Sequence, residues 1–267
     1  MGNKGRLFVV GTGLITPSHI TQETKKRIES ADQVYHLVPD PLGLTYLKSL
    51  NENLTYLGDS YQLTATRTQA YQLMVDRILE GLNQYSTVVA VFYGHPGVFV
   101  SPSHEVITQA RRRGYDAQML PGISAEDCLF ADLGIDPASD GCQSYEATHF
   151  LIHKIQIDLC APLILWQPGV IGDIDNAKLT AQPEALKLLQ KKLIDWYGSE
   201  HPVIKYEAAT LPLYDPLIES KPLSKIHQWS LSQRSTFYIA AQQSAMLDDS
   251  VVQQLVNLKP SKENSDV

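Results

Sequence analysis

Thr87-Val88-Val89-Ala90-Val91-Phe92-Tyr93-Gly94-His95-Pro96-Gly97-Val98-Phe99 decides how the rest of this chain is read. Its first six residues are a short, β-branched, almost uninterrupted apolar run, the pattern of a strand buried on both faces of a parallel sheet. The run ends in a Gly/Pro-rich loop that carries a tyrosine and a histidine. Glycine lets backbone approach a ligand closely, and proline stiffens the turn. Open α/β sheets place their ligands at the carboxyl ends of parallel strands, so this loop is a candidate binding element.

Working outward, strands are expected at 7–11, 33–38, 54–57, 87–93 and 117–120, with amphipathic helices near 20–31, 67–82, 103–113 and 124–133. This alternation is the signature of an α/β fold. A stretch rich in Asp, Ser, Gly and Pro, after Gly134 and through about Gly141, reads as a linker. Beyond it, strands are expected at 162–167, 203–207 and 236–241, and helices near 183–196 and 244–258. The expectation is two α/β domains, 1–134 with a mostly parallel sheet and 142–258 with a mixed one, then a polar fraying tail at 259–267. No internal repeat is visible.

With 267 residues, 43% of them hydrophobic, the chain can build one large or two modest cores. A net charge of -7 and a pI near 5.6 argue against a nucleic-acid surface. Arg111-Arg112-Arg113 before Gly114 reads as the cationic last turn of a helix. Cys128, Cys142 and Cys160 are odd in number and lack C-x-x-C spacing, which indicates neither a disulfide framework nor a thiolate metal site. Cys128 is expected to be a buried thiol, and a reducing cytoplasm fits. No apolar run is long enough to span a membrane. The apolar start is too short for a signal peptide, and Arg6 stands where a myristoylation motif wants Ser or Thr.

Gly11-Thr12-Gly13 follows a strand as a dinucleotide fingerprint would, but Thr16 replaces the third glycine and no helix opens at once. Pro121-Gly122-Ile123-Ser124-Ala125-Glu126-Asp127 reads as strand, tight turn and a helix start capped by Ser124 with Asp127 three residues on. Its amides suit the polar end of a cofactor or simply a well-capped helix. On the following logic the helix from Arg67 is the sharpest clue: Arg67, Tyr71, Met74, Ile78 and Leu82 fall on one stripe. Arg67 is therefore expected to point inward, where it needs an anion, a phenolate or a polar ligand, or else a structural carboxylate or a route to the rim. Composition leaves these readings open. His149 and His153 are four apart, but 147–152 reads as extended and no acidic third ligand is near, so no metal site is expected. No H-E-x-x-H, G-x-S-x-G or Walker sequence is present. Trp166, Trp196 and Trp229 are scattered and read as core or rim.

Taken together, the N-terminal strand and Gly-rich turn, the Tyr93–Phe99 loop, Pro121–Ala125, Leu165-Trp166-Gln167 and Tyr206-Glu207-Ala208-Ala209 resemble the tetrapyrrole methylase superfamily. More narrowly, with Tyr61, Arg67, Tyr71 and Tyr93 in that order, the chain is similar to the borosin peptide backbone α-N-methyltransferases over roughly 7–241. The resemblance implies two α/β domains with S-adenosylmethionine in the cleft between them and S-adenosylhomocysteine as product. It implies cofactor contacts at Tyr93, His95, Val98, Ala125, Gln167, Ala208, Ser235 and Thr236, and catalytic roles for Tyr61, Arg67, Tyr71 and Tyr93. The best-known fused members carry their substrate peptide as a C-terminal extension. Here residues 259–267 lack an apolar core peptide, so the expectation is a split borosin arrangement acting in trans on a separate precursor peptide. A homodimer, or a heterotetramer with two precursor peptides, is implied by the resemblance alone.

The chemistry accounts for these residue types. A backbone amide nitrogen is a poor nucleophile because its lone pair is delocalised into the carbonyl, and attack on a sulfonium methyl requires the N–H proton to leave wholly or in part. A phenol, with a reference pKa of about 10, is unusually basic for a side chain. A neighbouring guanidinium stabilises phenolate and also negative charge on an imidate-like oxygen. The roles expected are Tyr71 as base, Arg67 as electrostatic partner, and Tyr61 and Tyr93 as positioners, with the identity of the proton-holding tyrosine open. Two other readings stand beside this one: a corrinoid or porphyrin C-methyltransferase, and a non-catalytic module that binds S-adenosylmethionine or a leader peptide.

Overall fold

The strand read first from sequence sits at the heart of a parallel sheet. The computed structural model describes residues 5–174 and 181–258. The first sheet is built from β1 (Arg6–Gly11), β2 (Gln33–Leu37), β3 (Leu54–Tyr56), β4 (Thr87–Phe92) and β5 (Asp116–Met119). Their order is β3-β2-β4-β1-β5, with every pairing parallel. Between them run α1 (Gln22–Glu29), α2 (Pro41–Leu50), α3 (Ser60–Leu63), α4 (Arg67–Gln84) and α5 (Ser101–Arg112).

Alternate residues of β1 and β4 enter two different cores, as a strand covered on both faces requires. Leu7, Val9, Val88, Ala90 and Phe92 pack with Met74, Ile78 and Leu82 of α4 and with Val106 and Ala110 of α5. Phe8, Val10, Val89 and Val91 pack with Ile28 of α1 and Leu47 of α2 on the other side.

The chain continues through α6 (Ala125–Leu133), α7 (Pro137–Asp140), β6 (Gln143–Glu146), α8 (Ala147–Ile152), β7 (Leu163–Trp166), α9 (Pro183–Tyr197), β8 (Pro202–Glu207), β9 (Leu217–Pro222), β10 (Thr236–Ile239) and α10 (Asp249–Asn257). The second sheet has the order β6-β7-β10-β8-β9. It is mixed, because β6 and β7 are parallel while β10 runs antiparallel to both its neighbours. One face carries Leu163, Leu165, Val203 and Phe237 against Phe150 of α8 and Leu186, Leu189 and Leu193 of α9. The other carries Ile164, Trp166 and Tyr206 against Leu129 of α6. The Tyr206 hydroxyl, buried beneath α6, donates to Asp132 Oδ2 at 2.7 Å and ties the end of that helix to β8.

Segment 147–152 is helical, not extended. The Glu146 carboxylate accepts the N–H groups of Thr148 and His149 at 2.9 and 2.6 Å, and Ala147 and Phe150 turn into the core at helical spacing. The His149 and His153 rings therefore stack, with centroids 4.0 Å apart. Among the described residues no group of three or more His, Cys, Asp or Glu side chains is arranged to hold a metal. Cys128 is half-buried, not buried, and burial followed by Asp132 and Asp127 pushes its thiol up to about 11. Helix α2 escapes the hydrophobic pattern although its start is written in the sequence: Pro41 follows Asp40, whose carboxylate accepts from Gly43 N–H at 2.6 Å. Segment 134–141 contains the one-turn α7, and β6 and β9 have too little alternation to be read from sequence. The 259–267 tail lies outside the described residues. Among the described residues no helix is long and apolar enough to cross a membrane.

The loops after β4, β1 and β5 leave from the same end of the first sheet and touch through backbone. A β-carbon at Gly11 would lie 2.1 Å from Gly94 O and 2.9 Å from Pro96 Cδ, and one at Gly122 would lie 3.0 Å from Gly94 O. Gly11→Ala is expected to destabilise the protein by about 1–3 kcal/mol through overpacking. Urea denaturation checks this, and an unchanged midpoint would mean that these loops part without cost.

Candidate active site

The Tyr93–Phe99 loop is fixed from several sides. The His95 ring nitrogen Nδ1 accepts the Gly97 N–H at 2.9 Å, so a neutral ring carries its proton on Nε2. The buried Ser103 hydroxyl, at the start of α5, lies on the carbonyls of Pro96 and Val100, and His104 Nε2 meets Gly97 O at 2.9 Å. Phe99 closes the loop with φ 56°, a left-handed backbone that is uncommon outside glycine. Its ring contacts Trp166 at the end of β7, with centroids 5.7 Å apart.

Across the first sheet, Thr66 caps α4 by accepting the Gln69 N–H at 3.2 Å, which makes Arg67 the first helical residue. A cation at a helix N-terminus opposes the helix dipole. Arg67 is nonetheless half-buried, and among the described residues no carboxylate pairs with it. Its Nη2 instead donates to the Tyr71 hydroxyl oxygen at 2.8 Å. The readings left open for Arg67 narrow accordingly: its partner is a phenol, not a structural carboxylate.

Tyr61, on α3, meets the Tyr71 ring edge to face, with centroids 6.2 Å apart and planes at 75°. Tyr61 and Tyr93 are partly covered, with 41% and 51% of their surfaces exposed. Burial pushes the Tyr93 phenol above the usual tyrosine range, Tyr71 adds to the rise, and Arg67 opposes it. Tyr61 rises further, through burial first, then Tyr71 and Tyr93 and its hydrogen bond to Tyr71, again against Arg67. Both phenols stay protonated at neutral pH. The structure thus brings Tyr61, Arg67, Tyr71 and Tyr93 into one interacting cluster.

The other candidate residues gather at one end of the second sheet and on α6. Ala125 opens α6 behind a complete capping box, in which Ser124 and Asp127 satisfy each other's backbone N–H groups. That leaves the amides of Ala125 and Glu126 as helix-end donors. Ala125 and Ala208 pack against one cluster with Trp166 and Tyr206. Gln167 follows β7 with φ 57°, Ala208 follows β8, and Thr236 pairs with both Trp166 and Tyr206. The Ser235 hydroxyl is committed to Glu207 Oε1 at 2.6 Å and accepts from Ser232 N–H at 2.8 Å, which leaves its backbone as the contact it can offer. Val98 lies in the loop, its N–H on His95 O at 3.2 Å.

The profile of the Tetrapyrrole (Corrin/Porphyrin) Methylases matches residues 6–215. The chain belongs to the tetrapyrrole methylase family. A methyltransferase/ribosomally synthesized cyclic peptide gymnopeptides precursor of Gymnopus fusipes is 41% identical over 239 residues, covering 88% of this chain and 57% of that protein. The corresponding omphalotin A precursor of Omphalotus olearius is 40% identical over 243 residues, with 88% and 57% covered. A type I borosin cyclic peptide precursor of Serendipita vermifera is 37% identical over 269 residues, with 97% and 64% covered. The chain thus spans less than two thirds of the length of these relatives. Among solved structures, uroporphyrin-III C-methyl transferase from Thermus thermophilus complexed with S-adenosyl homocysteine is 16% identical with a TM-score of 0.60, covering 89% of this chain and 93% of that one. Cobalt precorrin-4 methyltransferase is 18% identical, also at 0.60, with 89% and 96% covered. At such identities the likeness is one of fold.

Sequence reading of this tetrapyrrole methylase passed over Arg77 and Asp59. Arg77 Nη1, on α4, donates to Asp59 Oδ1 at 2.6 Å and so ties the one-turn α3, with Tyr61 on it, to the helix that carries Arg67 and Tyr71. The two are 18 positions apart on different elements, so no helical spacing announces the pair. The Arg77 hydrogen bond holds the Asp59 carboxyl below its usual range. A depressed carboxylate pKa contributes stability that is present above the unfolded value and is lost as pH falls through the folded one. Asp59→Asn is expected to cost about 0.5–1 kcal/mol at pH 7, the pair being partly exposed, and the difference from wild type should close as pH falls through the lowered Asp59 range. Thermal unfolding against pH checks it, and a difference independent of pH would rule out the ion pair as its source.

Proposed function

We propose that this chain is an S-adenosylmethionine-dependent methyltransferase that α-N-methylates backbone amides of a precursor peptide supplied as a separate molecule. The observation that carries this reading is Arg67: a half-buried cation at a helix start, answered by the Tyr71 oxygen at 2.8 Å and by no carboxylate among the described residues. Such a cation stabilises negative charge on a phenol oxygen and on an amide being converted toward an imidate. The cyclic-peptide precursor names of the relatives support the peptide as substrate, and the trans arrangement comes from the resemblance to split borosins. A homodimer with two peptides is the assembly that resemblance implies.

The residues fit the methyl donor. The glycine contact of Gly11, Gly94 and Gly122 gives backbone that a side chain would fill, the start of α6 offers amide donors, and Ala125 and Ala208 lie on one apolar cluster. Tyr93, His95, Val98, Ala125, Gln167, Ala208, Ser235 and Thr236 would hold it. When bound, the cofactor supplies an electrophilic methyl group on a sulfonium. Tyr71, acting as the phenolate that the Arg67 guanidinium stabilises, would take the amide proton and become a neutral phenol, leaving the negative charge on the imidate-like amide, where Arg67 would offset it. Tyr61 and Tyr93, kept protonated by burial, donate to the amide oxygen and orient the peptide plane. Alignment of nitrogen, methyl and sulfur contributes roughly several kcal/mol to lowering the barrier.

A second reading, C-methylation of a porphyrin or corrin, is favoured by the family description and by the fold. It has no use for a proton-removing phenol and guanidinium beside the donor. Incubation with S-adenosylmethionine and candidate precursor peptides, followed by mass spectrometry, is expected to give successive gains of one methyl mass on backbone nitrogens. Arg67→Ala and Tyr71→Phe should each slow transfer by at least about 100-fold while S-adenosylhomocysteine affinity changes only a few-fold. Full turnover in either variant, or methylation confined to side chains or to a porphyrinogen, would refute the proposal.

A further inference from the structure

Trp166, 5% exposed at the end of β7, is where three separate elements meet. Its indole N–H donates to the Ser144 hydroxyl on β6 at 2.7 Å. That hydroxyl donates in turn to Glu126 Oε1, in the first turn of α6, at 2.9 Å. An indole N–H can only donate, and an ionised carboxylate can only accept, so the direction of this relay is fixed. The ring of Trp166 meets Phe99, with planes tilted by 48°.

Phe99 is the informative partner. Its ring is half-exposed, so core burial does not account for where it lies. Its backbone is in the left-handed region, which a residue with a β-carbon keeps only when its surroundings hold it there. Among the described residues the non-glycine positions with left-handed φ are Phe99 and Gln167, one at each side of this contact. Both candidate cofactor loops therefore bend unusually at the point where Trp166 joins them.

We propose that Trp166 is a positioning residue for the cofactor site, holding the Tyr93–Phe99 loop and the start of α6 against the second sheet so that cofactor contacts from both sheets are set in advance. The proposal rests on the methyl-donor reading above. Were Trp166 only a core filler beside Ile164, Leu129 and Tyr206, the half-exposed Phe99 ring would be dispensable for cofactor binding.

Calorimetric titration of the full chain with S-adenosylhomocysteine distinguishes the two. Phe99→Ala is expected to weaken binding by about five- to tenfold, the loss of one aromatic pair and of the order it imposes, while the melting temperature of the unliganded protein stays within about 2 °C of wild type. The KM for S-adenosylmethionine should rise in step, with kcat at saturating cofactor within about threefold, because the loop is then ordered by the ligand itself. Phe99→Tyr, which keeps the ring, should restore binding to within about twofold. Trp166→Phe keeps a ring toward Phe99 but loses the relay, and Ser144→Ala loses the relay alone, so each should fall between Phe99→Ala and wild type. Wild-type affinity in Phe99→Ala overturns the proposal, as does a loss that Phe99→Tyr fails to repair. Absence of binding by the wild-type protein would instead refute the methyl-donor reading itself.

Discussion

The approach of three loop backbones at Gly11, Gly94 and Gly122 is the constraint from which the site is built. Strands β4, β1 and β5 are neighbours and parallel, so the loops that follow them emerge side by side at one end of the sheet. They can close on one another only because no β-carbon stands between them. Once they touch, the Tyr93–Phe99 loop has little freedom, and Ser103 and His104 remove more of it from the α5 side. A tyrosine and a histidine are thereby presented on rigid backbone close to the capped start of α6. Preorganisation of this kind is what binding and orientation at a reacting centre demand.

Helix α4 carries two arginines used in opposite ways. Arg77 is met by Asp59, and its charge goes into holding α3 in place. Arg67 sits ten residues earlier, at the end of the helix where the dipole disfavours a cation, and has a phenol oxygen as its close partner. The two demands on the surrounding phenols also oppose each other. Burial raises Tyr61 and Tyr93, Arg67 lowers them, and burial prevails at both. The cluster therefore joins protonated donors to a cation whose capacity to stabilise negative charge is largely unused by the fold. Folding stability gives no reason for that arrangement.

The fold itself is shared with enzymes that are only 16–18% identical to this chain. A common scaffold leaves substrate choice to the side chains mounted on it. In this chain the interacting Tyr61, Arg67 and Tyr71 lie on α3 and α4, beside the first sheet, whereas Gln167, Ala208, Ser235 and Thr236 stand at the end of the second. Trp166, on the second sheet, meets the Tyr93–Phe99 loop of the first through the Phe99 ring and the start of α6 through the Ser144 hydroxyl.

The amino-acid sequence alone determined the parallel first sheet, the capped start of α6 and the stripe that puts Arg67 and Tyr71 on one face of α4. Each is a local pattern of period two, of period 3.6 or of a capping box, and such patterns survive without knowledge of the rest of the molecule. It misread 147–152, where a short segment becomes helical because Glu146 caps it and the second core takes up Phe150. It also gave no sign of Asp59 with Arg77, of Phe99 on Trp166, or of the Ser144 relay. Only the tertiary structure decided those, because each joins residues distant in sequence and on different elements. The fate of the Arg67 charge was decided there as well, since whether a carboxylate or a phenol answers a half-buried cation depends on which neighbours the packing brings within a few ångströms.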